Sequence, residues 1–189
     1  RAENVRKRNY FAKYGDKEAK LRLGEAYLAG SGGFTKDIPV GLEYLLSLMP
    51  HESERVSKII SKSLTLEEIL SFQQINLVAS AAAFDEDARL KLVAWLLVRG
   101  ESDQAFNWLD RNDNATGDRV KSFLGAITTR NSLSALKAIG KIYGFSIYEL
   151  AAREANQALS DGHFSQARSI LRHVSGSQGP IPDSVHRLV

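Results

Sequence analysis

The sequence predicts an all-α protein, on three observations. Apolar residues recur at i, i+3, i+4 and i+7 from one end of the chain to the other, which is the spacing of one face of a helix. The chain has 4 prolines and none of them lies between Pro50 and Pro180, so no proline interrupts a helix over that stretch. We find no convincing run of alternating apolar and polar residues, and strands are therefore not expected.

Each predicted helix rests on a stripe of apolar residues or on a start signal. The first half of the chain has Asp37 shortly before Pro39, which suits a first helical turn, and Thr65 with Glu68 at the spacing of a capping box. Apolar stripes are formed by Leu42, Leu45, Leu46 and Met49, by Val120, Phe123, Leu124 and Ile127, by Ile147, Leu150, Ala151, Ala155 and Ala158, and by Phe164, Ala167, Leu171 and Val174. Ser146 with Glu149 has the capping-box spacing again.

The predicted helices are connected by short loops, which makes successive helices antiparallel neighbours. They span residues 2–14, 17–29, 38–49, 54–62, 66–81, 86–99, 102–110, 117–129, 132–143, 147–160 and 163–174. We expect a single helical-repeat domain over residues 1–175, as part of a longer array, and a flexible or loosely docked tail over residues 176–189.

Composition narrows the function classes. With 43% apolar and 25% charged residues over 189 positions, the chain has the balance of a folded protein. The absence of cysteine excludes disulfides, thiolate nucleophiles and cysteine-ligated zinc. The apolar run from Leu92 to Val98 is far shorter than the ~20 residues that a membrane span needs, so no transmembrane segment is expected.

The chain begins at Arg1 rather than at methionine, which suggests a fragment that has lost any targeting segment. The compartment therefore stays open between periplasm and cytoplasm.

The formal net charge is +3, and the positive charge is concentrated at the start of the chain. Residues 1–22 contain eight basic and three acidic side chains, so the remainder is slightly acidic. Arg6, Lys7 and Arg8 next to Tyr10 form a basic and aromatic cluster that could bind nucleic acid or an anionic surface. A solvated helix face is the favoured interpretation of the same residues, and nucleic-acid binding is the alternative to it.

Internal similarity is the strongest signal in the sequence. Ala19, Leu23, Gly24 and Tyr27 follow one another at intervals of four, one and three residues. The same intervals return in the second half of the chain as Ala135, Ile139, Gly140 and Tyr143. Small residues allow two helices to approach closely and a bulky residue fills the next gap, so the pattern is typical of helix–turn–helix repeats.

The stretch from Ala12 to Met49 resembles the Sel-one-like repeat, a variant of the tetratricopeptide repeat. The residues that carry the pattern are Ala12, Gly15, Ala19, Leu23, Gly24, Tyr27, Gly30, Gly32, Asp37 and Tyr44. Three positions depart from it, since Gly33 is inserted, Gly41 replaces the usual alanine and Tyr44 stands where tryptophan is frequent. The match is specific over about a fifth of the chain and degenerate elsewhere.

The resemblance implies a right-handed α-solenoid of stacked antiparallel helix pairs that share one continuous core. It also implies a concave surface that binds other proteins. Such repeats are frequent in bacterial scaffold, secretion and envelope-assembly proteins, including a lipoprotein scaffold of alginate export. We therefore expect a non-enzymatic scaffold or adaptor for the assembly of a bacterial multiprotein complex, with a protein or peptide segment as its partner.

The sequence contains three partial signals for other chemistry. Gly30, Gly32 and Gly33 follow a helix rather than a strand and lack the spacing of a phosphate loop, so we interpret them as a turn, with Gly30 suited to end a helix. The histidines form no close ligand pair, and neither metal nor cofactor is expected. Ser134 and Lys137 match S-x-x-K without the partner motifs of a penicillin-binding enzyme, so no catalytic residues are expected.

The two tryptophans are the remaining candidates for partner-binding residues. Trp95 and Trp108 could be anchors for a partner protein, because tryptophan is enriched at interaction hot spots. Both lie beside leucines at helical spacing, which favours packing in the core. The two interpretations differ in the exposure of the indole ring.

Overall fold

The computed structural model describes residue 6, residues 15–110, residues 118–121 and residues 123–175. In this part of the chain every regular element is a helix, so the predicted all-α class is confirmed. No described helix is long and apolar enough to cross a bilayer. The predicted helix 2–14, apart from an exposed and helical Arg6, and the predicted tail lie outside the described residues.

The chain divides between Ala81 and Ala82 into two compact units. The first unit contains α1 (Lys17–Ala29), α2 (Ile38–Leu46), α3 (Ser53–Ser63), α4 (Leu66–Ser71) and α5 (Ile75–Ala81). The second contains α6 (Glu86–Val98), α7 (Ser102–Leu109), α8 (Asp118–Lys121), α9 (Leu124–Thr128), α10 (Ser132–Tyr143), α11 (Ile147–Ser160) and α12 (Phe164–Ser175). The prediction of one domain over residues 1–175 stays a prediction.

Local sequence fixes both ends of α1. The Asp16 carboxylate accepts hydrogen bonds from the backbone N–H groups of Glu18 and Ala19, at 2.9 and 3.2 Å, and so satisfies two donors that a helix start leaves free. At the other end Gly30 adopts the left-handed conformation, with φ 63°, and its N–H donates to the Ala26 carbonyl. The helix therefore has the bounds that the sequence predicts.

Helices α1 and α2 cross at two glycines. A Cβ placed on Gly24 would lie 2.5 Å from Leu45 Cγ and 3.1 Å from the Gly41 carbonyl oxygen. A Cβ placed on Gly41 would lie 2.7 Å from Leu28 Cδ2 and 3.0 Å from the Gly24 carbonyl oxygen. Each glycine thus makes room for a leucine and a backbone carbonyl of the other helix, and the predicted close helix–helix contact at Gly24 is confirmed.

Two predicted helices of the first unit were too long. The helix predicted over 66–81 is interrupted after α4, where Gln73 has φ 56° and the Gln74 N–H donates to the Ile69 carbonyl at 2.8 Å. That bond and a left-handed residue together form the Schellman motif, which ends a helix. The left-handed position is usually a glycine, and because it is a glutamine here the sequence gives no sign of the helix end. Helix α2 ends at Leu46 instead of residue 49, because the following N–H groups of Leu48 and Met49 bond only three residues back.

The second unit is organised around α6. Ten of its residues are buried, and it packs against α7, α10, α11 and α12. A helix that is buried all round must be enclosed by its neighbours. This central position is more typical of a helical bundle than of a linear array, in which each repeat contacts only the next.

The helix predicted over 117–129 is divided into the short helices α8 and α9. The backbone of Phe123, between them, has φ −132° and ψ 28°, which is not helical.

Replacing Gly24 tests the contact between α1 and α2. We expect Gly24→Leu to lower the free energy of unfolding by about 1–3 kcal/mol or more, because the added side chain must displace Leu45 or the Gly41 backbone. Urea and thermal unfolding followed by circular dichroism measure the change. Gly125→Leu on α9 is the matched control, since nothing lies within 4 Å of its added Cβ. An unchanged Gly24→Leu melting temperature would contradict the packing described.

Candidate functional site

The glycine-rich loop between α1 and α2 is a structural turn that connects the two helices. Gly32 and Gly33 both have positive φ, and the Asp37 N–H donates to the Tyr27 carbonyl at 2.9 Å. Asp37 in turn caps α2 by accepting from the Val40 N–H at 3.1 Å. The only cation of the loop, Lys36, forms an ion pair with Glu68 of α4. The lysine and the Asp37 backbone N–H of this loop are thus engaged within the protein.

Aromatic residues cover the α1–α2 hairpin on one side. The rings of Tyr27 and Tyr44 are stacked with centroids 6.1 Å apart, and Tyr27 also packs on Phe34 at 4.8 Å. They lie against buried Ala19 and Leu23. Burial, and then the neighbouring Tyr27, raises the pKa of Tyr44. Four of the repeat-signature residues, Ala19, Leu23, Tyr27 and Tyr44, therefore belong to one packed cluster. Ala12 lies outside the described residues, and Gly15 is in a positive-φ turn before α1.

The second copy of the sequence pattern has a different geometry. Ala135, Ile139 and Gly140 of α10 are buried, as the pattern predicts. A Cβ on Gly140, however, would meet the Phe145 carbonyl oxygen at 3.1 Å, in the chain that follows the same helix. Gly24 instead accommodates another helix. Equal spacing in sequence therefore does not produce the same contact at the two sites.

Tyr143, the last residue of the second pattern, joins a charged cluster on α6. Its hydroxyl donates to Asp87 Oδ1 at 2.7 Å, and Arg119 of α8 pairs with the same carboxylate. The ammonium of buried Lys91 lies 5.2 Å from the centre of the Tyr143 ring, a cation–π distance. Burial, followed by the hydrogen bond to Asp87, raises the pKa of Tyr143 far above its ordinary value of 10.0.

Trp95 lies in a second cluster at the end of α6, where its ring is only partly buried. Its indole N–H donates to Glu154 Oε2 of α11 at 3.0 Å. The guanidinium of Arg99 stacks over the ring, with Cζ 4.7 Å from the centroid. Arg99 is held in turn by Glu101 at 2.9 Å and by Glu154 at 3.7 Å. The amide oxygen of Gln166 also accepts from the guanidinium when the amide is turned to the orientation that satisfies both groups. The result is a fixed aromatic–arginine pair that both packs on the protein and reaches its surface.

The other predicted partner-binding residues are placed separately. Trp108 is partly buried on α7, whereas the contacts that hold Trp95 come from Glu154 of α11 and from Arg99. Arg6 is exposed, and Lys7, Arg8 and Tyr10 lie outside the described residues. The described residues contain no group of three or more histidine, aspartate or glutamate side chains that could hold a metal ion.

Comparison with known proteins gives no relative for this chain. No family model, no curated protein and no solved structure matches it.

Sequence reasoning selected Trp95 but missed the residues that fix it. Arg99 directly follows α6 and lies four residues after Trp95, a spacing at which side chains on successive helical turns meet, so this partner could have been found. Glu154 is 59 residues away and enters only through the packing of α11 on α6. The contact of Glu154 with Trp95 therefore depends on tertiary packing and has no local signal in the sequence.

The raised pKa of Tyr143 predicts that this tyrosine stays neutral when ordinary tyrosines ionise. In an ultraviolet titration of the folded protein, we expect Tyr143→Phe and wild type to show the same tyrosinate absorbance up to about pH 11, one unit above the ordinary pKa of tyrosine. In denaturant the wild type should show one more ionising tyrosine. Because the pKa is higher in the folded state, stability should fall as pH rises above 10, where the unfolded chain releases the proton. An extra ionisation near pH 10 in folded wild type would contradict the Asp87 contact.

Proposed function

We propose that this chain is a non-enzymatic protein–protein interaction scaffold, in which paired helices position fixed side chains for a partner protein. The all-α fold of the described residues supports the proposal. So do the pairs α1/α2 and α11/α12, whose members pack directly against each other.

The Trp95–Arg99 pair is the observation that carries the proposal. Tryptophan and arginine are the residues most enriched at the energetic centres of protein interfaces. Arg99 keeps 27% of its side-chain surface exposed while it stacks on a partly buried Trp95. Glu154, which is 7% exposed, holds both the indole and the guanidinium.

The fixed geometry gives the proposed mechanism. A free arginine loses rotamer freedom when it binds, at about 0.5–1.5 kcal/mol for such a side chain. Contacts to Glu101 and Glu154 already restrict Arg99 before any partner arrives. A partner would therefore gain the contact area of the pair at a reduced entropic cost.

For the wider arrangement we propose the stacked helix pairs of a right-handed, Sel-one-like α-solenoid that serves the assembly of a bacterial complex of the secretion or envelope type. The glycine crossing of α1 and α2 supports this arrangement in the first unit. The packing of four helices about α6 makes the second unit more compact than an open array.

Arg99→Lys tests the proposed anchor. Lysine keeps the positive charge but loses the planar stack on the indole and the forked hydrogen bonds. Proteins captured by the wild-type chain would be identified, purified and titrated against both forms. We expect the variant to bind about tenfold more weakly, equivalent to 1.4 kcal/mol.

Arg130→Lys is the matched control for this substitution. Arg130 also pairs with a carboxylate, that of Asp110 at 2.8 Å, and lies 5.5 Å from the Phe106 ring centre. It should leave the affinity unchanged. Equal affinities of wild type and Arg99→Lys for every purified partner would contradict the proposed anchor.

A further inference from the structure

The outer face of α12 carries a solvent-exposed aromatic residue. Phe164 is 67% exposed, the largest value among the exposed large hydrophobic residues of the described chain. Burying a phenylalanine side chain is worth about 1.5–3 kcal/mol, so a folded protein gains nothing by placing one in water. The core side of the same helix is provided by Ala167, Ile170 and Val174.

Two arginines share the face with Phe164. Residues 164, 168 and 172 lie at i, i+4 and i+8, which places Arg168 and Arg172 in a line along the helix from the phenylalanine. Both arginines are exposed. Leu171, partly buried, lies at i+7 and extends the apolar edge of the same face.

The charge on this face is uncompensated within the described chain. Four other exposed arginines have a carboxylate partner: Arg22 and Arg55 pair with Glu18, Arg119 with Asp87 and Arg130 with Asp110. Among the described residues neither Arg168 nor Arg172 forms such a pair, and α12 contains no acidic residue. Favourable interaction with the helix carboxyl end accounts for Arg172 in the last turn, but it does not account for Arg168 or Phe164.

We propose that this face of α12 binds an acidic segment of a partner protein, with an apolar side chain of the segment on Phe164 and carboxylates on Arg168 and Arg172. Residues four apart on a helix are separated by about 6 Å along its axis. Alternate residues of an extended chain are separated by about 6.6–6.8 Å. The spacing of the face therefore fits an extended peptide of the pattern apolar-x-acidic-x-acidic.

The observations favour a peptide over other anionic partners. A nucleic acid is held by many phosphate contacts, on the order of 6–10 for a typical protein, whereas this face offers two arginines. Stable attachment to a membrane surface likewise needs a larger basic and apolar area than one aromatic ring with two charges. Carboxylates suit the planar guanidinium because they accept two parallel hydrogen bonds from it.

This surface is separate from the Trp95–Arg99 pair. Gln166, which contacts Arg99, lies two positions from Phe164 and so projects about 200° around the helix from it. The α12 surface and the Trp95–Arg99 anchor can therefore be tested independently. Loss of one leaves the other in place.

The test uses the full chain and a fluorescently labelled synthetic peptide with leucine, glutamate and glutamate at alternate positions. We expect binding that weakens with added salt, since exposed charges are screened over about 8–10 Å at physiological ionic strength. The double variant Arg168→Glu/Arg172→Glu should bind at least about tenfold more weakly, and Phe164→Ala about fivefold more weakly. Fluorescence anisotropy measures each affinity.

Two controls separate recognition from general charge. Lys137→Glu, at an exposed position of α10, makes the same kind of charge change elsewhere and should leave the affinity unchanged. A peptide with lysine in place of glutamate should bind the double arginine variant better than it binds wild type. Circular dichroism checks that every variant is folded.

Three results would overturn the proposal. They are an absence of binding by wild type, equal affinities of wild type and the Phe164 and arginine variants, and tighter binding of anionic phospholipid vesicles or single-stranded DNA through the same residues. None of them would bear on the Trp95–Arg99 anchor, which is tested by Arg99→Lys.

Discussion

The first unit depends on how closely α1 and α2 approach each other. At Gly24 and Gly41 each helix presents backbone where a side chain would normally stand, and the leucines of the opposite helix occupy the space. A residue as small as alanine at either position would already be in collision. Interiors are packed to the density of organic crystals, so they have little room to absorb such a change. The left-handed Gly30 ends α1, and the loop after it returns the chain to α2 and this contact.

In the second unit, close packing is achieved around one buried helix, α6. Helix α6 is enclosed by its neighbours, and two of its large polar side chains have partners within the unit. Arg89 donates to the Ala82 and Ala83 carbonyls, and Trp95 donates to Glu154. Unsatisfied buried groups would cost about 1–3 kcal/mol each, so these contacts belong to the fold. At the end of α6 they also fix an indole and a guanidinium at the surface, and this is why a structural contact can serve as an anchor for a partner.

Much of the fold could be predicted because local signals coincide with helix ends. Capping residues, apolar stripes and helix-ending glycines place most boundaries within one or two residues. The interruption at Gln73 was missed because glutamine rarely adopts a positive φ and leaves no mark in the sequence. At the candidate site, Trp95 could be selected from its residue type alone. Its fixation by Glu154 could not, since that depends on the tertiary packing of α11 on α6.

The central claim is that Gly24 is required because Leu45 fills the space beside it, and a double-mutant cycle tests it most directly. Free energies of unfolding would be measured for wild type, Gly24→Ala, Leu45→Ala and the double variant. Alanine is favoured over glycine in a helix by about 0.8–1.0 kcal/mol, so without the collision Gly24→Ala should be tolerated. The account predicts that Gly24→Ala destabilises the wild type but costs at least about 1 kcal/mol less once Leu45 is alanine. Equal costs in the two backgrounds would contradict it.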